Sequence, residues 1–202
     1  MVVPILGAVT FHELAHGWVA DRLGDPTPRL SGRLTINPLK HLDLVGTLVF
    51  FLTRMIGWAK PVPINPLHFR DPRKGMVWVA LAGPSANLLL ATGCAFLFRA
   101  LASLPISASS FLAKVFVPLL LMLKIGVVIN LGLAFFNIIP VPPLDGGRVL
   151  VGILPREKAL SVARVEPYGF LILILLIVAG VVEVVIYPLI RLGVRILLGG
   201  LW

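Results

Sequence analysis

Long apolar runs are the feature of this sequence that most constrains its fold. Met76 to Leu104 and Phe116 to Ile139 are each longer than the roughly 20 apolar residues that a helix needs to cross a bilayer. The whole chain follows the same trend, because 58% of its 202 residues are hydrophobic and only 13% are charged; soluble domains average about 45–50% and about 25%. A soluble globule is therefore excluded, and the sequence predicts an all-α polytopic membrane protein.

The chain divides into about four predicted membrane helices and a polar region, residues 24–75, between the first two. Arg29 to Ile36 partly alternates polar with apolar residues, which predicts a short β-hairpin near the cytoplasmic face. Leu44 to Trp58 is apolar but holds only about 15 residues, so we expect this segment to re-enter the membrane without crossing it. The helices and tail of this single membrane-embedded domain, residues 1–202, are predicted at 1–23, 76–104, 116–139 and 168–187, with an amphipathic tail over 188–202.

Basic residues determine the predicted orientation. The chain has 18 Lys and Arg against 9 Asp and Glu, a net charge of +9 that would suggest nucleic acid in a soluble protein. Here the basic residues cluster in short connections between apolar runs, as membrane topology requires. We therefore predict a lipid bilayer and no nucleic acid as partner, with the connections before residue 76 and after residue 147 in the cytoplasm and the loop from Pro105 to Leu112 outside.

The motif His12-Glu13-Leu14-Ala15-His16 lies inside the first apolar run. On a helix, residues i and i+4 share a face, so both imidazoles can bind one Zn²⁺ while Glu13 stands beside it to take a proton from bound water. Ionisable groups within a membrane segment are costly and are by default functional. The motif therefore favours a catalytic metal site over a pair of packed histidines.

A catalytic zinc needs a third protein ligand and an open position for water. His41 and His68 lie in polar connections, whereas Asp145 lies in a turn rich in Pro and Gly at the end of an apolar run. Irregular backbone at membrane depth is tolerated only where it is buried in protein or lines a watery cavity. From the residues alone, a zinc ligand and the N-cap of a following helix are equally good interpretations of Asp145.

Two motifs in combination resemble a known family. His12-Glu-Leu-Ala-His16, followed by Asn137-Ile-Ile-Pro-Val-Pro-Pro-Leu-Asp145-Gly-Gly, resembles the site-two proteases, intramembrane zinc metallopeptidases, in their compact prokaryotic form without a PDZ domain. The resemblance covers nearly the whole chain, since three further segments are also similar: Asn37-Pro-Leu-Lys-His41, Trp58-Ala-Lys-Pro-Val-Pro63 and Ala82-Gly-Pro-Ser-Ala-Asn87. Members usually carry another membrane helix before this motif, so we expect either a shortened start or a neighbouring surface that covers that flank.

The resemblance implies the roles of the site residues. The family positions that match His12, His16 and Asp145 hold the zinc, one ion per chain, and the position that matches Glu13 activates water. Asn87 and Asn137 match positions beside the active site, where contacts to substrate backbone or to the oxyanion are expected. Hydrogen bonding between helices is the alternative for each asparagine.

The predicted function is therefore that of a zinc metalloprotease that hydrolyses peptide bonds within or near transmembrane segments of membrane protein substrates. The resemblance and the basic residues together place the multi-pass chain in the cell (inner) membrane, with the active site toward the cytoplasm. A substrate helix must unwind to expose its peptide bond, and we expect the Arg29 to Ile36 hairpin to offer it an extended edge.

Two other functions remain as alternatives. A metal-ion transporter also uses intramembrane His, Glu and Asp, but it should show paired broken helices in two related halves, and no such repeat is visible. An inactive scaffold with a structural zinc would not need Glu13, which this chain retains.

Overall fold

The computed structural model describes residues 2–53, 59–105 and 112–199 of the chain. These residues form nine α-helices connected by turns and by short 3₁₀ segments. In chain order the helices are α1 Val2–Arg22, α2 Thr27–Leu30, α3 Leu44–Thr53, α4 Pro72–Ala102, α5 Ala113–Asn137, α6 Asp145–Ile153, α7 Arg156–Ala163, α8 Gly169–Val178 and α9 Val181–Leu198.

Three stretches of the described chain are long and apolar enough to cross a bilayer: Pro72–Ala102, Ala113–Asn137 and Arg156–Val178. The first of them, α4, starts sharply because the side chain of Asp71 accepts hydrogen bonds from the amides of Arg73 and Lys74, both at 3.1 Å. Pro72 occupies the first helical position, where a missing amide costs nothing. The chain thus passes abruptly from a polar connection into a membrane helix.

Helices α4 and α5 form the centre of the bundle, and α1, α6 and α9 pack against them. A buried apolar cluster joins α4, α5 and α9; it consists of Ala91, Ala95, Phe98, Val127, Leu131, Val194 and Leu198. Large apolar side chains elsewhere on α4 point outward, among them Leu89, which is 74% exposed. Such a surface suits lipid chains, which solvate apolar side chains that water would not.

The predicted β-hairpin over Arg29 to Ile36 is wrong, because the described residues contain no β-strand. Thr27–Leu30 is a single helical turn, and Gly32 then adopts a left-handed backbone with φ +66° that redirects the chain. Pairing of the β type is limited here to one antiparallel bridge between Leu42 and Ala59. The Ser31-Gly32 pair of this segment and the prolines on either side of it, Pro28 and Pro38, favour turns, and turns prevail over the polar and apolar alternation.

The membrane helices differ from the prediction at two places. The fourth predicted span is not confirmed, since α1 is not among the three candidates; the polar His12-Glu13-Leu14-Ala15-His16 motif interrupts its apolar run. The predicted helix 168–187 is divided, because α8 ends at Val178 and α9 begins at Val181. Between them Gly180 has φ +72°, a left-handed conformation that ends a helix and that glycine adopts readily.

Some predictions fall on parts of the chain outside the described residues. Helix α3 covers Leu44–Thr53 of the segment that we expect to re-enter, but residues 54–58 are not described. The same is true of residues 106–111 in the predicted outer loop and of residues 200–202 in the predicted tail. Re-entry of the first segment therefore stays a prediction.

Candidate metal centre

Helix α1 presents His12 and His16 one turn apart on its buried face. Their rings are 4.6 Å apart between centroids, nearly perpendicular, and only 8% and 5% of the two residues is exposed. Their Nε2 atoms lie 3.1 Å from each other. The helical period alone produces this pair, as the sequence predicts.

Asp145 brings a carboxylate to the same point from the start of α6. Its Oδ2 lies 3.2 Å from Nε2 of His12 and 3.2 Å from Nε2 of His16, and Asp145 is only 6% exposed. This buried oxygen has no hydrogen-bond partner among the residues that the structure describes. The three side chains form a group in which one potential ligand atom from each residue lies within 4.8 Å of the other two.

The glycines that follow Asp145 allow α6 to begin here. A side chain on Gly146 would overlap the carbonyl group of Ile138, and one on Gly147 would overlap the backbone nitrogen of Pro142. Only residues without a Cβ let the turn after α5 pack this tightly on α6. In the Asp-Gly-Gly sequence, Asp145 therefore supplies the carboxylate and the two glycines allow it to reach its position.

Helix α4 also approaches the two imidazoles very closely. A Cβ on Gly83 would overlap Nε2 of His16 and lie 2.6 Å from Cε1 of His12. One residue later Pro84 lacks an amide, so it cannot donate the helical hydrogen bond to Ala80. The Gly-Pro pair thus brings the α4 backbone against the metal centre.

The outer nitrogen of each imidazole has its own partner. Nδ1 of His16 lies 2.6 Å from the carbonyl oxygen of Val79, which can only accept, so His16 must donate from Nδ1. Nδ1 of His12 lies 2.6 Å from Oδ1 of Asn87 and donates to it in the same way. A neutral imidazole that donates from Nδ1 carries a lone pair on Nε2. Both Nε2 lone pairs and the Asp145 oxygen thus converge on one point, as ligands of a metal ion do.

Glu13, the predicted water-activating residue, is not part of this ligand group. Its Oε2 accepts a hydrogen bond of 3.1 Å from the amide of Val62, in the segment that crosses beside α1. Pro61 and Pro63 flank Val62 and have no amide, so Val62 provides the only backbone donor of these three residues. A single amide is thereby directed at the Glu13 carboxylate.

The two predicted asparagines lie in different surroundings. Asn87 is completely buried; besides accepting from His12 it donates to the carbonyl oxygen of Ala8 at 3.1 Å and to Oδ1 of Asn130 at 2.9 Å. Both amide hydrogens of Asn87 are therefore used within the protein. Asn137 is partly exposed and donates to Leu133 of its own helix at 3.0 Å.

An open cleft of 490 Å³ adjoins the site. Val62, which contacts Glu13, lines one side, and Pro142 and Gly147 beside the Asp145 turn line another. Arg73 and Arg148 bring positive charge to its wall. The walls of the cleft thus include two neighbours of the site, Val62 beside Glu13 and Gly147 beside the Asp145 turn.

Sequence reasoning missed three parts of the site: Asn130, the amide of Val62 and the contact of Gly83 with the histidines. Asn130 carried a usable signal, since a polar residue in an apolar helix has a partner inside the bundle. Gly83 and Val62 lie in motifs that resemble the family, but their contacts depend on tertiary packing. No local pattern reveals them.

Comparison with known proteins agrees with the geometry. Residues 1–180 match the sequence profile described as Peptidase family M50, the site-two protease family. The chain belongs to this family. It is a zinc metalloprotease family, and the His12, His16 and Asp145 group suits a zinc ion.

Individual relatives give the same assignment. YwhC of Bacillus subtilis (strain 168), assigned as a zinc metalloprotease, is 37% identical over 193 residues, which are 96% of this chain and 86% of YwhC. Rip2 of Mycolicibacterium smegmatis, assigned in the same way, is 30% identical over 177 residues, which are 86% of this chain and 64% of Rip2. No solved structure is significantly similar. These relatives do not favour the metal-ion transporter alternative.

Proposed function

We propose that this M50 metalloprotease cleaves peptide bonds within or near the transmembrane segments of membrane proteins, with zinc held by His12, His16 and Asp145. The buried Asp145 oxygen without a hydrogen-bond donor carries the proposal. Three electron-rich atoms face one another at 3.1–3.2 Å, an arrangement that is unfavourable in a low-dielectric interior unless a cation lies between them. Two imidazoles and one carboxylate are a known ligand set of catalytic zinc and leave a fourth position for water.

Residues of this chain perform the proton transfers. Bound zinc supplies a water of lowered pKa and polarises the scissile carbonyl. Glu13 accepts the proton of the attacking water and returns it to the leaving amine. The Val62 amide holds Oε2 of Glu13, so we assign the proton to the other carboxylate oxygen. A fixed carboxylate saves the reorganisation that a mobile side chain would need at the moment of attack.

Asn137 is the residue that we assign to the oxyanion or to the substrate backbone. Its one described side-chain hydrogen bond occupies Nδ2, which has a second hydrogen, and the side chain is partly exposed at the end of α5. Asn87 has no amide hydrogen to spare. We therefore give Asn87 a different task, to orient His12.

The substrate is proposed to enter through the cleft between Val62 and Gly147. Its helix must unwind first, because a helical peptide bond has its carbonyl hydrogen-bonded and its faces crowded. Residues that weaken a helix, such as Gly or Asn, lower that cost by up to about 1 kcal/mol each. Substrates with such residues near the cytoplasmic end of their transmembrane segment are thus the best candidates.

The position in the membrane completes the proposal. We infer that α1 lies within the bilayer as a fourth membrane helix, since α1 packs against α4 and α5. The basic residues before α4 and around α7 support an active site that faces the cytoplasm of a cell membrane. Single cysteines at Lys158 should then be protected from an impermeant thiol reagent in intact cells, and labelling from outside would reverse this orientation.

The deciding experiment is cleavage of a model transmembrane substrate by the purified full-length protein. We expect a chelator to stop cleavage, added zinc to restore it, and Glu13→Gln to reduce it by about 10³-fold while the zinc content stays unchanged. Cleavage by Glu13→Gln at the rate of the unmodified protein would refute the mechanism.

A further inference from the structure

Asn130 of α5 lies behind the metal centre, in the middle of a chain of buried hydrogen bonds. It is 3% exposed and contacts neither His16 nor Asp145 through any described hydrogen bond. We propose that Asn130 is a positioning residue that fixes the side-chain amide of Asn87, and through it the tautomer of His12 that binds zinc. The inference rests on the zinc site proposed above.

Backbone carbonyls at two points decide which way both amides face. Asn130 Nδ2 lies 2.8 Å from the carbonyl oxygen of Gly126, which can only accept, so Nδ2 must be the donor there. That leaves Oδ1 of Asn130 toward Asn87, whose Nδ2 lies 2.9 Å away. The carbonyl oxygen of Ala8 lies 3.1 Å from the same Nδ2 of Asn87 and can only accept, so it also requires a donor at that position. Asn87 therefore turns its two hydrogens to these acceptors and its oxygen to His12.

The opposite orientation of Asn87 would set acceptors against acceptors. Its oxygen would face the carbonyl oxygen of Ala8 and Oδ1 of Asn130, while its NH₂ group would face Nδ1 of His12 at 2.6 Å. His12 would then need a lone pair on Nδ1 and a hydrogen on Nε2. An Nε2 that carries hydrogen cannot bind zinc.

The two zinc-binding histidines differ in how firmly their hydrogen-bond acceptors are fixed. His16 donates to the backbone carbonyl of Val79, which a helix holds in place and which cannot turn over. His12 donates to a side-chain amide, which presents either an oxygen or an NH₂ group with almost the same shape. Asn130 doubles the number of acceptors that hold this amide. Helix α5 thus contributes to the metal centre without supplying a ligand.

Zinc affinity of the purified full-length protein, measured by competition with a chelating indicator, tests this role. Outer-shell partners typically change metal affinity 10–100-fold. We expect Asn130→Leu to bind zinc about tenfold more weakly, at the low end of that range, because Ala8 still holds Asn87. Asn130→Asp keeps an oxygen acceptor for Asn87, and the O–H of its buried protonated carboxyl replaces Nδ2 as donor to the carbonyl oxygen of Gly126, so this variant should retain most of the affinity. In the zinc-free Asn130→Leu protein, nitrogen NMR of His12 should show both tautomers, whereas the unmodified protein shows hydrogen on Nδ1.

Leu131→Ala is the matched control, because Leu131 is the next residue of α5, is 3% exposed and packs in the apolar cluster with α4 and α9. It should lower thermal stability and leave zinc affinity unchanged. Unchanged zinc affinity in Asn130→Leu, or an equal loss in Leu131→Ala, would overturn the inference. If Asn130→Leu does not fold, a tenfold loss in Asn130→Asp overturns it. Absence of zinc binding in the unmodified protein would instead refute the proposed function.

Discussion

Two buried aspartates in this protein have opposite surroundings. Asp25, after α1, is completely buried and accepts hydrogen bonds from the amide and hydroxyl of Thr27, the amide of Asn65 and Nδ1 of His68, at 2.5–3.0 Å. Asp145 is almost as buried, but within the described part of the chain its Oδ2 has no donor and faces two imidazole nitrogens. A buried carboxylate surrounded by donors holds the fold together, whereas one without donors needs a cation. The hydrogen-bond donors around each carboxylate thus distinguish the structural Asp25–His68 pair from the metal site at Asp145, independently of any sequence relative.

The structural aspartate nevertheless serves the metal site indirectly. Asp25 ties the end of α1 to Asn65 and His68, and the amide of Lys60 donates to the carbonyl oxygen of His41 at 2.9 Å. These bonds anchor both ends of the segment from 60 to 68. The middle of this segment carries the Val62 amide to Glu13. The hydrogen bonds of Asp25 and Lys60 in the loops thus help to position the Val62 amide beside Glu13.

Among residues that are neither metal ligands nor Glu13, Gly83→Ala should produce the largest effect on the metal side of the comparison. The added methyl overlaps the His12 and His16 rings, and a displacement of about 1 Å at a reacting centre can lower a rate by about 100-fold. Cleavage of the model substrate measures this loss. Gly93→Ala on the same helix has nothing within 4 Å of the new Cβ and should preserve activity, with stability raised by up to about 1 kcal/mol. Equal activity of the two variants would contradict the close approach of α4.

Asp25→Asn should affect stability and spare the metal. Burial raises the pKa of Asp25, but hydrogen bonds from Thr27, Asn65 and His68 outweigh burial and hold the pKa below its usual value. We expect a loss of about 2 kcal/mol of unfolding free energy at pH 7, typical of hydrogen bonds to a charged group, with unchanged zinc affinity. A fall in zinc affinity comparable to that of a ligand mutation would erase the distinction between the two aspartates.

The pH dependence of the unfolding free energy also tests the stabilising role of the Asp25 carboxylate. Because the pKa of Asp25 is lower in the folded than in the unfolded protein, its stabilisation is complete above about pH 3.9, the unfolded value. It is lost as the pH falls through the folded pKa. The difference in unfolding free energy between the zinc-free protein and Asp25→Asn should therefore stay constant from pH 7 to about pH 4 and narrow as the pH falls below that. A difference that does not narrow there would contradict the assignment to this carboxylate.

Val62→Pro should have the smallest effect of the three substitutions. It removes the amide that holds Glu13 and extends the run from Pro61 to Pro63, so the extended backbone is preserved. We expect kcat to fall about tenfold, the rate equivalent of one hydrogen bond to a charged group, with zinc content unchanged. Val62→Ala removes more of the side chain than Val62→Pro does but keeps the amide, so it tests packing alone. The same fall in both variants would mean that packing, not the amide, matters.

Local periodicity made part of the structure predictable from sequence. Two histidines four residues apart must share a helix face, and the long apolar runs had to become helices α4 and α5. The strand over Arg29 to Ile36 was predicted from alternation, but the turn-forming residues of this segment decide its backbone. The break at Gly180 was missed because apolar residues predominate on both sides of it.

The remaining parts of the site depend on contacts between distant segments. Asn87 and Asn130 are 43 residues apart, and Glu13 and Val62 are 49 apart. Sequence could show that such polar groups need partners, but only packing decides which partner each one finds. The outer hydrogen bonds of the metal centre were therefore beyond prediction, whereas the site residues named from sequence, His12, His16 and Asp145, do lie together.

Zinc binding by Asp145→Ala and Asp25→Ala tests the central claim most directly. We predict that the unmodified protein binds one Zn²⁺ per chain and that Asp145→Ala weakens binding by more than about 100-fold, since even outer-shell partners cost 10–100-fold. Asp25→Ala should retain full zinc affinity and lose stability. Half occupancy of Asp145→Ala by zinc, at the free zinc concentration that half-saturates the unmodified protein, would contradict the assignment of Asp145 as a ligand.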